Sequence, residues 1–161
     1  MNKIDFNYNI ISADEILPGL WLGNEAASQS ESFIKNNNIR LIVNASKNIT
    51  SKFLSLVHYL RAPIDDPGAI YTCSQNTEVR ALRSMLPLIL QKIKLFREQG
   101  MNVFIHCHAG AQRSAAICAA YLIYRGHVVD LTEAVEFIIR KRPIAFYGGK
   151  HVHFRDALLI L

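Results

Sequence analysis

The chain has 161 residues, half of them hydrophobic and 19% charged, which suits a single folded domain with a substantial core. That composition excludes a disordered chain and a disulfide-propped miniprotein, and no apolar run is long enough to span a bilayer. A net charge of +5 suits an anionic partner, but the basic residues are spread along the chain and single out no particular kind. The N-terminus shows neither a secretory signal nor a lipidation motif, so the expected setting is intracellular: cytoplasmic, with the nucleus also open, and no membrane contact. Cys73, Cys107 and Cys118 are then read as free thiols, at most one of them reactive.

Residues 1–15 are weakly patterned and read as an N-terminal arm or short helix ahead of one domain over 16–161. Ile16-Leu17 and Leu20-Trp21-Leu22 flank the turn pair Pro18-Gly19 and predict a hairpin. A helix is expected from Glu25 to Asn36. Ile39 to Ala45 is a nearly continuous apolar run, as in a strand buried on both faces. Val57 to Ile64 predicts another strand, closed by Pro63 and the loop Asp65-Asp66-Pro67-Gly68. Val79, Leu82, Leu86, Ile89, Ile93 and Phe96 recur at helical spacing, predicting a helix from Thr77 to Gln99 that Gly100 stops. Pro87 inside it implies a kink or a later start. Met101 to His106 is a third buried strand. Arg113 to Tyr124 and Leu131 to Arg140 are helices, the second capped by Asp130 or Thr132. Strands alternating with helices imply an α/β fold: one domain, a central mostly parallel sheet of about five strands, and helices flanking it. Ligands of such sheets sit at the carboxyl ends of the strands, which points to the loop after His106.

That loop reads Cys107-His108-Ala109-Gly110-Ala111-Gln112-Arg113-Ser114. Each part has a task if the ligand is a phosphate held between a strand end and a helix N-terminus. Small residues at 109–111 let backbone N–H groups converge into an anion-binding nest. The helix opening near Arg113 adds its positive end. A thiol in that field has its pKa drawn below the free value of about 8.5. Arg113 can grip two phosphate oxygens, and Ser114 can donate to a departing thiolate. Together they suggest covalent catalysis through phosphocysteine, with Asp65 and Asp66 as candidates for the acid that protonates the leaving oxygen.

Other residues invite plainer readings. Cys118 is read as an inert core residue. Arg140-Lys141-Arg142 is read as a solvated helix end favoured by the helix dipole, with recognition of acidic substrate flanks as the rival role. His106-Cys107-His108, even with His127, His151 and His153, lacks metal-ligand spacing, so no metal or cofactor is expected.

The sequence resembles the dual-specificity branch of the cysteine-dependent protein tyrosine phosphatases. Their signature is His-Cys, five residues, Arg, then Ser or Thr, and His106 through Ser114 matches every fixed position. Ile16 through Asn24, Val43-Asn44-Ala45-Ser46, Tyr59 through Asp66, Glu133-Ala134 and Arg142-Pro143 match in order, so the resemblance spans about residues 16 to 143. It implies a phosphatase catalytic domain with Cys107 as nucleophile, Arg113 as phosphate clamp and Ser114 assisting thiolate departure. His106 would order the loop and help keep the thiol acidic, while His108, Ala109, Gly110, Ala111 and Gln112 would surround the phosphate, His108 at its rim. The branch places its acid three residues beyond a Pro, which from Pro63 selects Asp66.

Two departures stand out. The position before the signature Arg is often Ser in the family and is Gln112 here. Beyond Arg142-Pro143 a Pro-Asn-type turn is usual, whereas this chain continues Ile144-Ala145-Phe146-Tyr147-Gly148-Gly149, with Phe154 as the expected anchor of the last helix. The implied partner is a phosphorylated protein, carrying phosphotyrosine or phosphoserine/threonine. The alternatives are the same chemistry on RNA 5′-phosphates or phosphoinositides, and a phosphate-binding adaptor without turnover. The loop lacks the Lys common in lipid-directed relatives and the Thr-His-Gly and Asn-Arg-Thr of RNA-directed ones, so nucleic acid is the less favoured partner. Monomer and homodimer are both open.

Overall fold

The computed structural model describes residues 8–68 and 75–159; Cys73 and residues 1–7 of the arm lie outside them. Strand β1 (Ala13–Leu17) turns through Pro18-Gly19 into β2 (Leu20–Gly23), forming the antiparallel hairpin predicted from sequence. β1 begins at Ala13, within the stretch read as an arm. The other strands are β3 (Ile39–Asn44), β4 (His58–Arg61) and β5 (Asn102–His106), and the sheet order is β1-β2-β5-β3-β4. All pairings beyond the hairpin are parallel. The third strand in sequence thus stops at Asn44, and the fourth is shorter than the run 57–64 suggests. β5 lies at the centre, and its last residue, His106, is in register with Gly23 on one side and Asn44 on the other.

Alternation along the strands divides the core in two. Leu20, Leu22, Leu41, Val43, Val103 and Ile105 face the larger layer, while Ile42 and Phe104 face the smaller, joined by Ile39 through a register shift between Ile39 and Leu41. The smaller layer is covered by α2 (Glu31–Asn36), which α1 (Glu25–Ser28) precedes. The single helix expected over 25–36 is therefore two. Ser30 accepts a hydrogen bond from the Phe33 amide and starts a new helix where the first has ended.

The larger layer is covered by α3 (Thr77–Glu98), α4 (Arg113–Tyr124) and α5 (Leu131–Lys141). α3 begins at Thr77, capped by Asn76, and runs through Pro87, so the later start is not taken. An interior Pro costs about 3 kcal/mol. Six buried apolar side chains on the helix, at about 1.5–3 kcal/mol each, outweigh it. Asp130, rather than Thr132, caps α5 by accepting from the Glu133 amide. The chain then makes a distorted turn, α6 (Phe146–Gly149), whose four residues all have positive φ, before a last short helix, α7 (Arg155–Leu158). Phe154, wholly buried, anchors the start of α7. Among the described residues no helix is long and apolar enough to cross a membrane.

Candidate active site

Cys107 leaves the central strand and Arg113 opens α4; what shapes the loop between them is the direction of its carbonyls. His108 O accepts from the Glu25 amide at 3.0 Å and Ala111 O from the Phe146 amide at 2.8 Å. Between them, Ala109 O and Gly110 O accept from Nη2 and Nε of one side chain, Arg142, at 3.0 and 2.9 Å. No described peptide bond is cis, and in a trans peptide the N–H points opposite to the C=O. Four carbonyls drawn outward therefore aim the amides of Ala109, Gly110, Ala111 and Gln112 inward. The Gly110 amide donates to Cys107 Sγ at 3.3 Å. Gly110 has φ +68°, and a Cβ there would lie 2.5 Å from the Gly23 carbonyl oxygen, so only glycine fits.

Arg142 is 1% exposed. Its Nη1 donates to Ser12 Oγ and Asp14 Oδ2, both at 2.9 Å, so the guanidinium joins β1 to the loop. Burial pulls its pKa down, and the bond and charge of Asp14 oppose that. The solvated helix end read from Arg140-Lys141-Arg142 is thus correct for the exposed Arg140 and Lys141 and wrong for Arg142. α4 differs from α1, α2, α3 and α5 in having no side-chain cap at its N-terminus. Its first amides remain available to a ligand.

Cys107 is buried at the floor of this nest, its Sγ 3.1 Å from Ser114 Oγ. Burial alone pushes the thiol up. The charge of Arg113, the hydroxyl and amide of Ser114 and the amide of Gly110 together overcome it and hold the pKa below the ordinary thiol value. Cys118, buried inside α4 without such donors, is pushed up to about 12 by burial, against a weaker pull from Arg97. It is an inert core thiol. His106 departs from expectation: burial takes its pKa down to about 4, a backbone contact at Cys107 opposing, with Arg61 and Arg113 adding to the fall. Neither ring nitrogen has a hydrogen-bond partner. The neutral ring lends no charge to the thiol; what ties His106 into the site is its carbonyl, which accepts from the Ala45 amide at 2.8 Å.

Above the thiol lies a cleft of about 110 Å³ that Asp66, Arg113, His108, Tyr8 and Tyr147 line together with Cys107. The two candidate acids separate here. Asp65 turns away, its carboxylate 3.2 Å from Lys47 Nζ and its amide donating to Glu78 Oε2. Asp66 faces the cleft, with Oδ1 accepting from the Gly68 amide at 2.9 Å and lying 2.5 Å from His153 Nδ1. Arg113 Nη1 reaches the Ile64 carbonyl at 3.4 Å, close to the Asp66 loop. His108 stands at the rim, 2.9 Å from Glu25 Oε2 and stacked on Tyr8 at 3.9 Å between centroids. Gln112, also in the cleft lining, is 3% exposed and fully engaged: its Nε2 donates to His151 O at 2.7 Å and its Oε1 accepts from the His153 amide at 3.0 Å.

The site residues chosen from sequence therefore converge, apart from Asp65. Sequence reasoning missed Arg142, Tyr8, Tyr147 and His153. Only Arg142 left a local signal, as the last basic residue before a helix-ending Pro.

An α/β domain with a low-pKa thiol in an amide nest between a central parallel strand and a helix N-terminus defines the cysteine-dependent phosphatase class. Within that class, residues 20–154 match the family described as dual specificity phosphatase, catalytic domain, and the chain belongs to that family. It is 33% identical over 130 residues to mouse dual specificity protein phosphatase 2, covering 81% of this chain and 37% of that protein. The chain spans about a third of the length of the curated relatives it matches. Among solved structures, a mouse putative dual specificity phosphatase complexed with zinc tungstate aligns with a TM-score of 0.74 at 26% identity, covering 91% of this chain and 83% of that one. Human DUSP28 aligns with the same TM-score at 23% identity, over 91% and 89% of the two chains, a likeness of fold.

Two outcomes follow from this geometry. Alkylation of Cys107 by iodoacetamide, mapped by mass spectrometry, should titrate below the free-thiol value of about 8.5. Because Ser114 favours the thiolate, Ser114→Ala should move that midpoint to higher pH; an unmoved midpoint would contradict the assignment. Arg142→Met should cost about 2–4 kcal/mol in urea unfolding, since it leaves two buried carbonyls without donors. A change below about 0.5 kcal/mol, the scale of an ordinary surface substitution, would show that the loop does not depend on it.

Proposed function

We propose that this protein hydrolyses phosphorylated protein side chains, phosphotyrosine and phosphoserine/threonine alike, through a phosphocysteine on Cys107. One juxtaposition carries the reading: the Cys107 thiol, the Arg113 guanidinium and the Asp66 carboxyl share a single small cleft. The phosphoryl oxygens fall to the inward amides and to the fork of Arg113. The thiolate attacks phosphorus as the bond to the leaving oxygen breaks, and Asp66, protonated at the outset, gives that oxygen its proton. In the second half Asp66, now a carboxylate, takes a proton from water as the water attacks phosphorus. The P–S bond breaks, its electron pair returns to sulfur, and the Ser114 hydroxyl stabilises the released thiolate.

A protein substrate is favoured because the mouse relative is named a protein phosphatase. An adaptor without turnover would have no use for a nucleophile, a clamp and an acid kept together. Phosphate release from matched phosphotyrosine and phosphothreonine peptides tests the reading. Cys107→Ser should abolish both activities. Asp66→Ala should slow peptide hydrolysis by about 10²–10⁴-fold while sparing an activated aryl phosphate, whose leaving group needs little protonation. Equal loss on both substrates would remove Asp66 from the acid role, and turnover surviving in Cys107→Ser would remove Cys107. Cleavage of the aryl phosphate with neither peptide touched would mean a substrate that is not protein.

A further inference from the structure

The two departures from the family pattern, Gln112 and the segment after Pro143, meet in space, and the second of them reaches the acid. Asp66 sits on an exposed loop, and apart from the nearby Gly68 amide, Oδ1 is held by His153, 87 residues further along the chain. His153 is 4% exposed, with the Tyr147 ring edge-on to its own at 5.4 Å. Its Nε2 is buried with no hydrogen-bond partner. That decides the tautomer: a bare buried lone pair is tolerated more readily than a buried N–H with no acceptor, so the proton belongs on Nδ1, facing Asp66.

The backbone of His153 is fixed in turn by Gln112, whose amide spans His151 O and His153 N. Gln112 belongs to the phosphate loop and adjoins Arg113. A Ser at 112 is too short to make both bonds, and the tight positive-φ turn at 146–149 leads the chain back towards the loop. Phosphate loop, Gln112, His153 and Asp66 thus form one connected series, which references the acid to the nest that holds the substrate.

We propose that His153 is a positioning residue for the reaction: donating from Nδ1 to Asp66 Oδ1, it holds the carboxyl over Cys107 so that Oδ2 carries the transferable proton. The inference rests on the reading of Asp66 as the general acid. A side chain acting through the acid matters only where the acid matters, and that separates it from one that merely fills space. A 1 Å misplacement of a reacting group costs about a hundredfold.

The experiment measures kcat/KM over a series of aryl phosphates of increasingly poor leaving group, for the intact chain and for Asp66→Ala, His153→Ala, His153→Asn and His153→Gln. His153→Ala should lose about tenfold to a hundredfold on the poorest leaving groups and almost nothing on the most activated. Asn places its amide nitrogen where imidazole Nδ1 lies and should restore most of the loss; Gln places it where Nε2 lies and should not. Asp66→Ala combined with His153→Ala should be no worse than Asp66→Ala alone. Equal loss along the series, equal rescue by Gln, or additive losses in the double variant would overturn the inference. The Asn and Gln variants keep a polar group of similar size, so their comparison stands even if the Ala variant does not fold. If Asp66→Ala depends on the leaving group and the His153 variants do not, the positioning role alone is lost. If Asp66→Ala shows no such dependence, the acid assignment falls and this inference falls with it.

Discussion

A buried guanidinium determines which way the phosphate loop faces. Arg142 takes the carbonyls of Ala109 and Gly110, and the Glu25 and Phe146 amides take those on either side. With four carbonyls fixed outward, planarity of the peptide turns the amides to the inside of the loop, where that of Gly110 meets the thiol. A cation taken out of water in this way is tolerable only because its donors are occupied: two loop carbonyls, the Ser12 hydroxyl and the Asp14 carboxylate. The cost of burial is thereby turned into a fixed orientation for the loop.

The electrostatics at the thiol follow from that orientation. Cys107 and Cys118 are both buried, yet their pKa values move in opposite directions. Burial pushes both thiols up, so the difference is the set of donors: Arg113, Ser114 and the Gly110 amide around Cys107, and none of these at Cys118. The same logic demotes His106, whose burial leaves it neutral and unable to support a thiolate by charge. The thiol owes its acidity to the loop and helix that follow it rather than to the residue that precedes it.

Much of this was legible in the sequence because the nest is a local device. Strand, thiol, five-residue loop, Arg and helix are contiguous, and their spacing alone fixes the chemistry they suit. The sheet was legible for a similar reason, since runs such as Ile39–Asn44 are short, β-branched and mostly apolar, as a strand buried on both faces requires. What escaped is non-local or a matter of competing caps. Arg142 looks like any basic helix end until its partners, more than thirty positions earlier, are known. Asp65 and Asp66 carry the same carboxyl, and only the resemblance preferred Asp66; no local pattern showed that Lys47 and Glu78 draw Asp65 away from the cleft. His153 lay beyond Arg142-Pro143, the last residues that carried the resemblance, so no motif pointed to it. The break between α1 and α2 turned on one Ser side chain accepting from an amide rather than facing solvent.

Everything proposed about the chemistry depends on Cys107 carrying the phosphoryl group. The most direct measurement is to mix the protein with an activated aryl phosphate, quench into denaturant within the first turnovers, and map the modified peptide by mass spectrometry. A single phosphoryl group on the peptide holding Cys107, absent in Cys107→Ser, is the expected result. Turnover with no phosphorylated cysteine at any quench time, or a phosphoryl group on another residue, would contradict it.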